Sequence, residues 1–228
     1  MRPALALLRN IMQTFQPVDF IQVALQNNVL RFGEFTLKSG RISPYFFNAG
    51  LLATGELLSV LASGYADTLA KHAKHDDLVI FGAAYKGIPF VAATAQALWN
   101  QHHINASWGY NRKEAKNHGE GGMLVGADLA GKSVWVIDDV MTAGTAMREV
   151  VQILSQAGAT VAGIIVALDR KEKGQGDKSA IQELSESLKV PVLALVTMDD
   201  IIEYVKQHGT QTQLSAMLNY REQYGISE

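Results

Sequence analysis

The sequence predicts an α/β protein: a largely parallel, twisted sheet flanked by helices on both faces, with a small N-terminal hood. Three observations carry that expectation. Strand-like and helix-like patterns alternate along most of the chain, the order expected of parallel strands joined by crossover helices. Val134–Ile137 is apolar at every position, as a strand buried on both faces must be. The 228 residues are 48% hydrophobic and 18% charged, which supplies one sizeable core.

Taken in order, Asp19 reads as the N-cap of a helix over 20–28, with Phe20, Val23 and Ala24 on one face. Residues 34–39 and 44–49 read as short strands joined by a turn around Gly40. Thr54 caps a longer helix bearing Leu57, Leu58, Leu61, Tyr65 and Leu69, and its basic end at 71–74 suits a helix C-terminus. Strand 78–81, helix 88–99, strands 104–109 and 133–137, helix 145–157 and strand 160–168 follow. An exposed loop with Gly174 and Gly176 leads to helix 179–188, strand 191–196 and two terminal helices over 200–207 and 211–220. Residues 1–12 are expected to be an N-terminal extension ahead of a second start at Met12. Residues 13–228 then form one domain, with a hood over about 18–55 plus C-terminal elements and a core over about 56–200.

Composition removes several function classes. Twenty Lys and Arg against 22 Asp and Glu leave a net charge of −2, unlike a general nucleic-acid binder. The absence of Cys excludes disulfides and thiolate metal sites and fits a reducing compartment, so a cytoplasmic location is expected. Charged residues interrupt every candidate membrane span. The opening stretch is cut by Arg9 and Asn10 and no small-residue cleavage site follows, so it does not read as a signal peptide. The His residues 72, 75, 102, 103 and 208 fall at helix ends or turns and read as solvated.

The densest chemistry lies where the apolar strand stops at Asp138 and Asp139. Ligands of open α/β sheets bind at the carboxyl ends of strands. The run Val140, Met141, Thr142, Ala143, Gly144, Thr145, Ala146 then aims backbone N–H groups and a helix N-terminus at an anion, with Gly144 free to take φ > 0. Two acids beside a phosphate cradle are reconciled by a sugar phosphate: carboxylates accept from ribose hydroxyls while the loop holds the 5′-phosphate. The alternative is an ordinary turn with solvated acids. A Walker-type match at Gly126–Ser133 is set aside, because a strand begins at Ser133 where a P-loop needs a helix.

A second strand end, Phe81–Pro89, yields to small residues, Tyr85, Lys86 and a Pro in the first helical turn. It reads as an anion loop with Lys86 as donor, or as a βα turn carrying a surface lysine. Tyr110–Gly122 concentrates Arg112, Lys113, Lys116 and His118 beside clustered glycines and lacks apolar periodicity, so it reads as a mobile basic lid or a solvated charged loop. In the hood, Lys38 is a candidate ligand cation, and adjacent Phe46 and Phe47 must point to opposite strand faces, so one ring at most faces a base. Arg170 ends the strand before it; it pairs either with a substrate carboxylate or with Asp169 or Glu172.

The segments FGEFTLKSGRISPYFFNAG, GAAYKGIP, NRKEAKNHGEGG, VIDDVMTAGTA and the Leu-Asp-Arg ending at Arg170 closely resemble the bacterial orotate phosphoribosyltransferases, from about Val18 onward. The resemblance implies the type I phosphoribosyltransferase fold and a reaction of orotate with phosphoribosyl pyrophosphate (PRPP), giving orotidine 5′-monophosphate and pyrophosphate for pyrimidine synthesis. It implies Mg²⁺, held mainly through PRPP rather than by a cage of side chains. Lys38, Tyr85, Lys86, Arg112, Lys113, Lys116 and His118 would contact PRPP, and Asp138 through Ala146 would hold ribose and 5′-phosphate. Phe46, Phe47, Thr142 and Arg170 would line the orotate site, Arg170 answering its carboxylate. The catalytic set would be Lys116, Arg112, Lys113, His118, Asp138 and Asp139. A homodimer with shared sites is implied, each borrowing lid cations, notably Lys113, and so is a non-proline cis peptide at Ala84–Tyr85. Met141 and the N-terminal extension depart from the family pattern. A purine or uracil phosphoribosyltransferase lacks a reason for a carboxylate-seeking Arg170. A PRPP-sensing nucleic-acid regulator lacks a basic recognition surface or an added DNA-binding domain.

Overall fold

The computed structural model describes residues 14–116, 122–141, 144–174 and 176–226, with the side chains of Ala115, Lys116 and Thr145 outside that description. The expected extension 1–12 therefore lies outside the described residues, as do His118, Thr142 and Ala143.

Helix α1 (Pro17–Gln26) starts earlier than the Asp19 cap predicted. Pro17 takes the first turn, where a missing N–H costs nothing, and Asp19 serves as a first-turn acid favoured by the helix dipole. The hood is the antiparallel hairpin β1 (Leu30–Thr36) and β2 (Ile42–Phe47). β1 also begins four residues before the expectation, because Leu30 and Phe32 alternate towards the core ahead of a register shift between Phe32 and Phe35. A 3₁₀ turn at Ala49–Leu51 precedes α2 (Gly55–His72), whose Thr54 cap accepts from the Leu57 N–H as predicted.

The main sheet has the order β5-β4-β3-β6-β7-β8. It comprises β3 (Val79–Gly82), β4 (Ser107–Lys116), β5 (Gly122–Gly126), β6 (Ser133–Val140), β7 (Thr160–Asp169) and β8 (Val192–Thr197). All neighbours run parallel except β4 and β5. Helices α3 (Gly87–His102), α4 (Thr145–Gln156), α5 (Ala180–Leu188), α6 (Met198–His208) and α7 (Gln211–Tyr224) complete the chain. Two apolar cores sandwich the sheet. One face packs Ile80, Ile137 and Ile165 against Leu61, Val91, Ile202 and Met217 of α2, α3, α6 and α7. The other packs Phe81, Val134, Val136 and Val166 against Met147, Leu154 and Leu184 of α4 and α5. Successive β6 residues thus enter opposite cores, the two-sided burial that the apolar run predicted. Among the described residues no helix is long and apolar enough to cross a membrane.

The largest departure concerns the basic segment. Instead of a strand over 104–109 followed by a loop, β4 carries on through Lys116 and β5 returns antiparallel, pairing Tyr110 with Val125 and Asn111 with Leu124. An edge hairpin needs only one apolar face, so its polar alternation hid it from a search for core periodicity. Gly126 ends β5 and no helix follows before β6, which excludes the P-loop geometry. His102 also differs from expectation: its Nε2 lies 2.8 Å from Oδ1 of Asp67, a buried carboxylate on α2 that also accepts the Phe15 N–H.

Candidate active site

β3 and β6 run side by side with Gly82 opposite Ile137, so the loops that leave their C-terminal ends open on one edge of the sheet. Lys86 reaches from the first loop to the end of β6, its Nζ 2.6 Å from Asp139 Oδ2. The Asp138 carboxylate accepts the Asp139 N–H at 2.9 Å, and the buried Tyr65 hydroxyl of α2 donates to the Asp138 carbonyl at 2.8 Å. The Asp138 carboxylate is thereby held by the backbone and its carbonyl by Tyr65, while Lys86 holds the Asp139 carboxylate. Gly144 takes φ +71° as the residue before α4, the left-handed conformation foreseen for it. Val140 packs into the first core and Met141 into the second, so these two supply backbone to the loop; Ala146 lies exposed in the first turn of α4.

The Ala84–Tyr85 peptide is cis, as the resemblance implies. Buried Asn111 supports this loop from β4: its Oδ1 accepts the Ala84 N–H at 3.0 Å while its Nδ2 donates to the Arg112 carbonyl at 3.1 Å. Tyr85 is 70% exposed, and the Lys86 side chain is more than half exposed. Arg112 is half-buried and Lys113 exposed on β4, which carries the basic segment to the same edge. The Lys116 side chain and His118 lie outside the described residues.

Burial, followed by the neighbouring Asp139 charge, pushes the Asp138 carboxyl up to about 6. Folding thus favours the protonated form. The stabilisation is complete below the ordinary value of 3.8 and is lost as pH rises through about 6. Stability should therefore fall as pH rises through about 6, and Asp138→Asn should lack that step. Thermal melts of both proteins across this range check it; identical pH profiles would refute it.

The hood separates its two phenylalanines. Phe47 packs inward against Phe20, ring centroids 6.4 Å apart, whereas Phe46 lies on the opposite face, stacked on Phe35 at 5.5 Å and beside Arg31. Lys38 is exposed in the turn after β1. Arg170 is buried and pairs with Glu172, one of the two partner types left open by its position. The hood residues that touch it are Ser43 and Tyr45, and α7 adds Tyr220. Burial, then its bond to Glu172, pushes the Tyr220 hydroxyl up to about 12, so it keeps its proton and can donate. The sequence assigns no role to Ser43, Tyr45, Asn111 or Tyr220, places Tyr65 only on the apolar face of its helix, and offers Glu172 only as an alternative ion-pair partner of Arg170. Their chain neighbours do not set them apart: Asn111 precedes Arg112, Glu172 lies between two lysines, and Tyr220 between Asn219 and Arg221.

Comparison with known proteins agrees with this geometry. The family model described as the phosphoribosyl transferase domain matches residues 53–192. The orotate phosphoribosyltransferase of Acinetobacter baumannii is 62% identical over 213 residues, covering 93% of this chain and 98% of that one. The Pseudomonas aeruginosa enzyme of the same name is 52% identical, covering 94% and 100%. The crystal structure of Francisella tularensis orotate phosphoribosyltransferase superposes with a TM-score of 0.82 at 46% identity, covering 90% of this chain and 98% of that one. With such identity sustained from one end of these enzymes to the other, the chain is a transferase of their family, the orotate phosphoribosyltransferases.

Proposed function

We propose that the protein transfers the 5-phosphoribosyl group of PRPP to orotate, releasing pyrophosphate and forming orotidine 5′-monophosphate for pyrimidine synthesis in the cytoplasm. The observation that carries this is the pairing of two adjacent strand ends, the loop after β3 with Lys86 and the end of β6 with Asp138 and Asp139, joined by the Lys86–Asp139 contact. One end suits a diphosphate and the other a ribose 5-phosphate.

The bond from ribose C1 to the diphosphate oxygen breaks and its electron pair leaves with pyrophosphate. A ring nitrogen of orotate supplies the new pair to C1 from the opposite face and gives up its proton to solvent. Lys38, Tyr85, Lys86, Arg112, Lys113, Lys116 and His118 bind the diphosphate side and neutralise the charge that grows there. The loop from Val140 to Ala146 holds the 5′-phosphate, and Asp138 and Asp139 position the ribose hydroxyls beside a ring that turns cationic. Thr142 and Arg170 belong to the base end, with Arg170 as the partner of the orotate carboxylate, and of Phe46 and Phe47, which face opposite ways, one ring at most joins them. Among the described residues no three His, Asp or Glu side chains converge into a cage. The adjacent Asp138 and Asp139 instead suit Mg²⁺, which usually takes one or two carboxylates and keeps waters and phosphate oxygens. When bound, that ion neutralises diphosphate charge. We further propose a homodimer in which Lys113 serves the neighbouring site.

Orotate consumption, followed by absorbance with PRPP and Mg²⁺ and set against uracil and hypoxanthine, tests the assignment. Turnover should occur with orotate alone. Turnover of uracil or hypoxanthine without orotate would place the protein in another branch of the family.

A further inference from the structure

Arg170 is 6% exposed, and its surroundings are unusually complete for a residue assigned to a substrate. Its Nε donates to Glu172 Oε1 at 2.7 Å, and Nη2 lies 2.7 Å from the same oxygen. Nη2 also donates to Ser43 Oγ at 2.9 Å and to the Tyr220 hydroxyl at 3.5 Å. The Tyr45 ring lies against the guanidinium, 4.2 Å from Cζ to its centroid. These bonds take up the Nε–Nη2 edge and the second N–H of Nη2; among the described residues Nη1 makes none. Glu172 is itself held from two further sides. Tyr220 donates to its Oε1 at 2.7 Å, and Arg41 Nη1 lies 3.3 Å from its Oε2. Arg41 in turn donates to the Lys173 carbonyl at 3.0 Å. Hood, C-terminal helix and the end of β7 therefore converge on one carboxylate.

On the reading that Arg170 meets the orotate carboxylate, we infer that Glu172 and Tyr220 are its positioning residues: they lock the Nε–Nη2 edge and so aim Nη1 at the base. An arginine ordered before the substrate arrives has already lost its rotamer freedom, so binding need not take it away. The planar fork turns that order into direction, because fixing one edge fixes the other. Glu172 also partly neutralises the cation. Loose anions are then drawn in less strongly, and a carboxylate is recognised by where it sits on the ring.

The test compares Tyr220→Phe and Glu172→Gln with the unmodified full chain. Orotidine and uridine 5′-monophosphates serve as product-site inhibitors that differ only by the carboxylate. Tyr220→Phe removes one hydroxyl and keeps the ring. The KM for orotate should rise about threefold in Tyr220→Phe and about tenfold in Glu172→Gln, the scale of one lost hydrogen bond and one lost charged bond. Inhibition by orotidine 5′-monophosphate should weaken in step, while uridine 5′-monophosphate inhibition and the KM for PRPP stay within about twofold. In an Arg170→Ala or Arg170→Lys background neither change should matter further. Parallel weakening of both nucleotides would show a purely structural role and overturn the inference. So would an unchanged orotate KM in Tyr220→Phe and Glu172→Gln when Arg170→Ala raises it. If the Arg170 variants themselves leave the orotate KM unchanged, the reading of Arg170 fails instead. Should Glu172→Gln not fold, Tyr220→Phe decides alone.

Discussion

Replacing Lys116 by alanine is expected to lower kcat by about 10²- to 10³-fold, with a much smaller loss of PRPP affinity. On the proposed reaction, charge on the diphosphate grows as the C1–O bond stretches, so a cation over it would stabilise the transition state more than the bound substrate. Arg112 and Lys113 of the same segment remain on β4 and would still hold the ground state. Steady-state kinetics with a direct measurement of PRPP binding separates the two effects. Equal losses in affinity and turnover would show that the segment only clamps the substrate.

Gly82→Ala should be similarly damaging for a different reason. Gly82 is the last residue of β3, and a Cβ there would land on the backbone carbonyl of Gly87, the first residue of α3. The reverse holds as well, since a Cβ on Gly87 would press on the Gly82 backbone. Backbone cannot step aside as a flexible side chain can, so the turn that carries Lys86 must open. A destabilisation of about 4 kcal/mol is expected, a fall in Tm of about 10 °C, with loss of PRPP binding. Calorimetry and ligand titration check it. A variant that keeps both Tm and PRPP affinity would show that this close approach does not shape the loop.

Burial was the most legible part of the fold. Val134–Ile137 announced its two-sided strand, and Thr54 and Ser179 announced helix starts, because each signal acts within a few residues. The first strand of the hood and the β4–β5 hairpin were misplaced where polar and apolar residues alternate at an edge and no continuous core stripe marks the element. The site divides in the same way. Acids, glycine and cations on the two loops are contiguous in the chain, so they were readable. Their supports were not: Tyr65 reaches Asp138 across 73 residues, Asn111 reaches Ala84 across 27, and Arg170 reaches Ser43 across 127. Contacts over such separations leave no periodicity in the chain, and Asn111 and Arg170 sit among polar and charged neighbours that do not mark them out.

The contact between Lys86 and Asp139 has one more bearing on how the cleft fills. The lysine is 57% exposed and the aspartate 16%, so water already reaches the pair from one side. The exposed ammonium keeps much of its hydration, whereas the largely buried carboxylate needs a new partner when the pair is parted. A sugar that carries both a diphosphate and free hydroxyls can take each charge for itself and leave neither stranded. Stray phosphate can engage only the ammonium, and it must do so against a carboxylate already in attendance.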